Sequence, residues 1–161
     1  LASPRQLHDR RLAVAEPGGL AALADALGRA LGEAGAIVAV LHHPDESAQA
    51  AAANQFRAEA FVGLALLDEP RCQAAFYAAE GFESVGGRRL AELVLAELGS
   101  IRGTQVPDAP KGMRVPVLRE TRMPAVLTEL GPPTLAVAFA PVIASALTRA
   151  LSRWVMTPVE P

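Results

Sequence analysis

Glu129 is the residue of this sequence with the strongest indication of a chemical role. It lies inside an apolar run, Ala125–Leu130, which the pattern predicts as a buried strand. Burying a carboxylate is costly unless it is paired or takes part in a reaction. Glu129 is therefore either a functional residue or a strand-end carboxylate paired with Arg119 or Arg122.

The three histidines offer few combinations that could bind a metal. His42 and His43 follow an apolar run, and α/β folds place functional residues at such strand ends. The two are either functional there or exposed turn residues. Adjacent strand residues point to opposite faces, so they rarely share a metal ion. His8 stands among arginines near the N-terminus, where we expect it to be exposed.

Motifs for nucleophilic or nucleotide chemistry are weak. Cys72 is the only cysteine, which excludes an intramolecular disulfide and a cysteine-based zinc cluster. The turn Glu16-Pro-Gly-Gly19 joins a predicted strand to a predicted helix and is similar to an anion-binding turn. It lacks the G-x-G-x-x-G spacing and the lysine of a P-loop, and no G-x-S-x-G elbow occurs in the chain.

Apolar strands alternate with amphipathic helices along the chain. We predict strands at Arg11–Ala15, Ala36–Leu41, Ala60–Leu66, Cys72–Tyr77, Val115–Leu118 and Ala125–Leu130. We predict helices at Leu20–Ala34, from Asp45 or Ser47 to Ala58, from Ser84 to Leu98 and from Pro141 to Val155. The run at 36–41 is apolar throughout, as in a strand buried on both faces. The order predicts an α/β fold with three layers, in which helices cover both faces of a mostly parallel sheet of about six strands.

Composition narrows the class of protein. A chain of 161 residues is long enough for one domain with a sizeable core, and we predict a single domain over 1–161. The 15 basic and 17 acidic residues give a net charge of −2, which argues against electrostatic binding of nucleic acid. The most apolar stretch, Thr134–Thr148, is too short for a membrane span and reads as a buried helix. The N-terminus lacks an initiator methionine and a signal-peptide run, which suggests a piece of a longer protein.

The segment from Val117 to Gly131 resembles a motif of one protein family. Its fifteen positions are similar to the pattern vLr-x-t-x-mPavLvElGF of the zinc-dependent N-acetylmuramoyl-L-alanine amidases with the type 3 catalytic domain. These enzymes cleave the amide bond between muramic acid and the stem peptide of peptidoglycan. Further segments resemble family patterns in the same order, namely Gly35–Asp45, Ala53–Asn54 with Phe61–Ala65, Phe76–Tyr77 and Ser84–Leu90. The resemblance implies an amidase-like fold over nearly the whole chain.

The departures from the family pattern fall on the metal site. The family holds its zinc with two histidines and a glutamate, and a water completes the site. One histidine corresponds here to Ala65, which cannot coordinate zinc. The other belongs to a DPGHGG motif that has no histidine here, where the chain reads Ala15–Gly19. Counting back from Gly35 places Glu16 at the position of the family's glutamate ligand. Counting forward from the preceding strand places it at the aspartate of the DPGHGG motif. The family's catalytic acid/base corresponds to Glu129.

Two functions follow from this resemblance. The first is a degenerate amidase-fold domain with little or no hydrolytic activity and no metal cofactor, which binds peptidoglycan fragments or proteins of cell-wall synthesis. The second is an active amidase that cleaves the muramoyl–L-alanine bond with a zinc held by atypical ligands such as His8, Glu16 or His42. An unrelated α/β enzyme or nucleotide binder is the remaining alternative. Zinc content, together with release of stem peptide, distinguishes the first two.

Overall fold

Seven strands form one mixed sheet in the computed structural model, which describes residues 6–156. The strands are β1 (Arg11–Glu16), β2 (Ile37–His42), β3 (Ala60–Leu66), β4 (Cys72–Ala79), β5 (Phe82–Glu83), β6 (Lys111–Met113) and β7 (Ala125–Leu130). They lie in the order β2-β1-β3-β7-β4-β5, and β6 pairs with β4. Strand β4 is antiparallel to β7 and β5, while the other four pairings are parallel. The sheet is therefore mostly parallel, as predicted.

Helices cover both faces of this sheet. They are α1 (Ala21–Glu33), α2 (Glu46–Phe56), α3 (Val85–Gly99), α4 (Pro116–Arg119), α5 (Pro133–Ala138) and α6 (Ala140–Met156). Helices α1, α3 and α6 pack together on one face, which we call the α1 face, and α2 and α4 pack on the other, the α2 face. The predicted three-layer α/β architecture is confirmed.

Successive side chains of each strand point to opposite faces of the sheet, and this alternation divides the core into two clusters. Leu12 and Val14 of β1 point to the α1 face and pack in the same cluster as fully buried helix leucines such as Leu27 and Leu147. Ala13 belongs to the smaller cluster on the α2 face. Full burial of one leucine contributes about 1.5–3 kcal/mol, so the leucine-rich α1 face supplies most of the hydrophobic stabilisation.

The strand predicted at Val115–Leu118 is wrong, because residues 116–119 form the short helix α4. Pro116 occupies its first turn, where a missing N–H costs nothing. The carboxylate of Glu46, on α2, accepts a hydrogen bond from the amide of Val117 at 3.1 Å. This contact comes from a distant part of the chain and could not be read from the local pattern. The other predicted strands and helices are present, with bounds shifted by at most two residues.

Two predictions of burial also need correction. Strand β2 is not buried on both faces, because it lies at the edge of the sheet, and Ile37 is 44% exposed there. The apolar stretch 134–148 is not one buried helix, because it divides at Phe139 into α5 and α6, and Val137 and Val142 are exposed. None of the helices between residues 6 and 156 is both long and apolar enough to cross a membrane.

Candidate functional site

Glu129 lies near the carboxyl end of β7, at the edge where ligands bind in open α/β sheets. Across the sheet, it pairs with Ala65 of β3 on one side and with Gln73 of β4 on the other. The three residues are in register, so their side chains point to the same face, the α2 face. The position at which the family resemblance expects a zinc-binding histidine is therefore directly beside Glu129, and it carries a methyl group.

Lys111 is the ion-pair partner of Glu129. Its Nζ lies 3.0 Å from Oε1 of Glu129, and this oxygen is buried without a hydrogen bond of good geometry. Lys111 lies on β6, on the side of β4 away from β7, and pairs there with Ala75. Its four-carbon side chain therefore extends across β4, past the small side chain of Ala75, to reach Glu129 on β7. The side chain of Lys111 remains 40% exposed, whereas that of Glu129 is only 12% exposed.

The expected pairing of Glu129 with Arg119 or Arg122 is wrong. Both arginines precede β7, whereas Glu129 is near its other end. A strand rises about 3.3 Å per residue, so the length of β7 separates them from this carboxylate. The sequence reasoning missed Lys111. The one available signal was that Lys111 is the only lysine in a chain that otherwise uses arginine as its basic residue.

A second ion pair and a small cavity adjoin the Glu129 edge. Arg71 Nε lies 2.6 Å from a carboxylate oxygen of Glu69, in the loop that joins β3 to β4. A cavity of about 260 Å³ lies beside this loop, and its lining includes Arg71, Gln73 and Gln105. Amide, guanidinium, ammonium and carboxylate groups therefore lie near one another at this end of β4 and β7.

Glu16 ends β1 and caps the start of α1. Its Oε1 accepts hydrogen bonds from the amides of Gly18, at 2.8 Å, and Leu20, at 3.0 Å. Leu20 has no side chain that could cap the helix, so Glu16 satisfies amides that would otherwise lack a partner. Burial tends to raise the pKa of Glu16, but the hydrogen bond from His42 and those from Leu20 and Gly18 outweigh it and hold this pKa below its usual value.

His42 links Glu16 to a second carboxylate. Its Nδ1 lies 2.7 Å from Oε2 of Glu16, and its Nε2 lies 3.0 Å from Oδ1 of Asp25 on α1. Both ring nitrogens face acceptors, so the imidazolium form satisfies both bonds. The hydrogen bond to Glu16, opposed by burial and aided by Asp25, raises the pKa of His42 above its ordinary value. Asp25 was not identified from the sequence, since its role depends on how α1 packs beside β2.

The Glu16 cluster and the Glu129 edge lie on opposite faces of the sheet. Ala15 pairs with Gly63, and Gly63 pairs with Leu127, so these residues share the face of Glu129. Glu16, one position beyond Ala15, points to the α1 face. The two retained glutamates therefore cannot bind one ion on a single face of the sheet.

The other sequence candidates lie apart from both clusters. His8 is at the opposite end of the sheet, against Gly35 in the turn before β2, and its Nε2 is 3.3 Å from Asp9. His43 accepts a hydrogen bond from the amide of Asp45. Cys72 is buried at the start of β4, and burial raises the pKa of its thiol despite a backbone hydrogen bond from Gly131. A buried thiol with a raised pKa is a poor nucleophile.

The residues present do not fit a catalytic zinc site. Such a site needs three nitrogen, oxygen or sulfur ligands from the protein and one open position. Within residues 6–156, no three His, Cys, Asp or Glu side chains come together in a way that could hold a metal ion. Glu129 has Ala65, Gln73 and Lys111 as neighbours, and the nitrogens of His42 already bond two carboxylates.

Solved structures of peptidoglycan amidases share this fold. The amidase AmiC2 of Nostoc punctiforme matches with a TM-score of 0.73 and 17% identity over 93% of this chain and 99% of that one. CwlV of Bacillus (Paenibacillus) polymyxa var. colistinus matches with a TM-score of 0.69 and 15% identity over 92% and 99%. The Clostridioides difficile CwlD amidase, in complex with the GerS lipoprotein, matches with a TM-score of 0.64 and 13% identity over 90% and 98%.

The chain therefore has the fold of the N-acetylmuramoyl-L-alanine amidases, and it spans nearly the full length of these structures. The resemblance found in the sequence is confirmed at the level of the fold. No protein-family model and no curated protein sequence matches the chain.

Proposed function

We propose that this chain is an amidase-fold domain of the bacterial cell wall that binds peptidoglycan fragments and does not hydrolyse them. One observation carries the proposal, namely that Glu129 is joined to the ammonium of Lys111 and has alanine beside it at the position of a metal-binding histidine. A positive charge of the protein itself thus lies against the carboxylate that the family uses as acid/base.

The ion pair leaves Glu129 poorly suited to activate water. A general base must reach the water proton with a free carboxylate oxygen at hydrogen-bond distance. Oε1 of Glu129 is buried against Lys111. With no set of metal ligands beside it among residues 6–156, nothing at this edge lowers the pKa of a bound water toward neutrality.

The same groups suit binding of a stem peptide. A peptide with free amino and carboxylate groups carries both charges, and this edge offers the carboxylate of Glu129, the ammonium of Lys111 and the guanidinium of Arg71. Gln73 lines the adjoining cavity of about 260 Å³. Polar groups that converge on a concave surface give orientation and specificity to a small ligand.

The alternative of an active amidase with atypical zinc ligands has less support. His8 is at the other end of the sheet from Glu16 and His42, and both nitrogens of His42 are engaged. Binding of another protein, as CwlD binds the GerS lipoprotein, is compatible with the same fold.

The test combines metal content, turnover and binding on the same preparation. After purification with zinc in the buffer, we expect less than stoichiometric zinc, no release of stem peptide from muropeptides, and saturable muropeptide binding by calorimetry. Stoichiometric zinc with release of stem peptide would establish the active amidase. A lack of saturable binding would reject the peptidoglycan ligand and leave a protein partner as the occupant.

Glu129→Gln and Glu97→Gln form a matched pair for the binding measurement. The two carboxylates are similarly buried, at 12% and 14% exposed, and both are ion-paired, but Glu97 pairs with Arg149 and Arg153 on α6. We expect E129Q to weaken muropeptide binding about tenfold, as loss of one charge-assisted contact would, and E97Q to leave it unchanged. Equal affinity of both variants would contradict a binding role for the Glu129 edge.

A further inference from the structure

A second concave site lies at the opposite end of β7 from Glu129. It is a cavity of about 360 Å³, within the range of sites for small molecules. Its walls come from the end of β4, the short strand β5, and the segment 118–125 that leads from α4 into β7. Because the length of β7 separates this cavity from Glu129, the function proposed above does not use it.

Two aromatic rings form one wall of this cavity. The centroids of Tyr77 and Phe82 are 5.9 Å apart, with the ring planes tilted by 49°. Phe82 is 61% exposed, whereas Tyr77 on β4 is half-buried. A large exposed aromatic ring beside a cavity offers a flat apolar surface to a ligand.

The segment 118–125 contributes a positive charge to the lining of this cavity. Within residues 6–156, the guanidinium group of Arg122 forms no hydrogen bond or ion pair, whereas Arg119 is bonded to Glu120 at 3.1 Å. Tyr77, whose phenol can donate a hydrogen bond, also lines the cavity. The cavity therefore presents a guanidinium and a phenol, both of which donate to anions.

The backbone of Arg122 is held in place from α2. The amide of Arg122 donates to Oδ1 of Asn54 at 2.8 Å, and Nδ2 of Asn54 donates to the carbonyl of Glu120 at 2.9 Å. This pair of bonds from one side chain fixes the segment before any ligand binds. A site that is already ordered loses less conformational entropy on binding.

We propose that this cavity binds a small ligand that joins a planar ring to an anionic group. The ring lies against Tyr77 and Phe82, and the anion accepts hydrogen bonds from Arg122. A carboxylate and a phosphate ester share this chemistry, and the test separates them. The inference is independent of the function proposed for the Glu129 edge.

The test uses three naphthalene probes with the same ring, namely 2-naphthoate, 2-naphthyl phosphate and the neutral 2-naphthalenemethanol. Binding is followed by amide chemical-shift changes in the intact domain. We expect at least one anion to bind saturably, with shifts around residues 77–84 and 119–125, and the neutral alcohol to bind about tenfold more weakly or worse. The ratio of the two anion affinities separates a site that prefers a carboxylate from one that prefers a phosphate ester.

Two arginine variants test the role of the charge. Arg122→Gln should weaken binding of the anionic probes about tenfold, while Arg102→Gln, an exposed arginine in the turn after α3, should not change it. Phe82→Ala should weaken binding of all three probes. Equal affinity for the alcohol and the anions, equal affinity of R122Q and R102Q, or no saturable binding of either anion would each overturn the proposal. E129Q should leave this binding unchanged.

Discussion

The ion pair between Lys111 and Glu129 joins two side chains with unequal access to water, at 40% and 12% exposed. Replacing Lys111 and replacing Glu129 should therefore lower the free energy of unfolding by different amounts. Lys111→Met leaves a carboxylate that is nearly buried and has no partner, which costs about 1–3 kcal/mol. Glu129→Gln leaves an ammonium that can turn into water, which costs about 1 kcal/mol or less. Urea unfolding of both variants measures the difference.

The double variant completes the comparison. With both charges removed, K111M/E129Q should recover most of the stability that K111M loses, because the unpaired carboxylate is gone. If K111M is no less stable than E129Q, the carboxylate of Glu129 reaches water by another route and the ion pair carries little energy.

His42 makes the stability of the domain depend on pH. The pKa of His42 is raised, so its contribution is complete below about pH 6.5 and is lost as the pH rises through the raised pKa. The pKa of Glu16 is lowered, so its contribution is present above about pH 4.3 and is lost as the pH falls through the lowered pKa. The pair is therefore most stabilising between these two limits.

His42→Gln should expose this dependence. We expect the variant to be less stable than the parent by about 1 kcal/mol or less at about pH 5.5, with a smaller difference at about pH 8.5. His8→Gln is the control, because His8 is exposed and its Nε2 lies 3.3 Å from the carboxylate of Asp9, which is also exposed. A difference between parent and H42Q that does not change with pH would contradict the imidazolium link to Glu16 and Asp25.

Sequence reasoning found Glu129 and Glu16 but not their surroundings. A carboxylate in an apolar run is conspicuous, and so is one that precedes Pro-Gly-Gly. Lys111, the partner of Glu129, and Asp25, the second carboxylate bonded to His42, come from other segments, and these pairings depend on strand order and helix packing. Such contacts leave no periodic pattern in a single sequence.

At the scale of the elements, Ser84 was predicted to begin α3, and it does so with its side chain. Its Oγ accepts a hydrogen bond from the amide of Gly87 at 3.0 Å. Ser84→Ala should lower the free energy of unfolding by about 1 kcal/mol, measured by urea denaturation. Ser145→Ala, at an exposed position within α6, should change it little or raise it slightly, because alanine favours helix. Equal effects would show that the cap is not needed.

Apolar runs identified the central strands well, because β3 and β7 are buried between two helical layers. The same reasoning was wrong for β2, which has an equally apolar sequence but lies at the sheet edge. It was also wrong for α4, a helix of four residues that depends on Pro116 and on Glu46 of α2. Local pattern shows that a segment is apolar, but not which neighbours cover it.

At the scale of the whole molecule, Gly131, just after β7, packs closely against the loop that joins β3 to β4. A Cβ atom at this position would collide with the carbonyl oxygens of Glu69 and Leu67, in the loop that joins β3 to β4. Gly131→Ala should therefore destabilise the domain by at least about 2 kcal/mol, as seen in a shift of the urea midpoint. Gly32→Ala on α1 meets no atom within 4 Å and should stabilise by about 0.5–1 kcal/mol. If G131A matches the parent, the loop can move away.

The layer architecture was predictable because alternating strands and helices have few ways to pack. The order of the strands was not, since β4 enters antiparallel beside β7 and β6 joins on its other side. That arrangement brings Lys111 across β4 to Glu129. The ion pair between Lys111 and Glu129 therefore depends on the placement of β4, antiparallel to β7, between β7 and β6.

Lys111 is also the only lysine of the chain, so every reagent selective for lysine side chains acts at one place. Reductive methylation with ¹³C-formaldehyde would give a single dimethyl-lysine resonance, located beside Glu129. Its chemical shift would report directly on a muropeptide, a metal ion or a protein that arrives at this edge. Dimethylated Lys111 would therefore serve as a spectroscopic probe of ligand binding at the Glu129 edge.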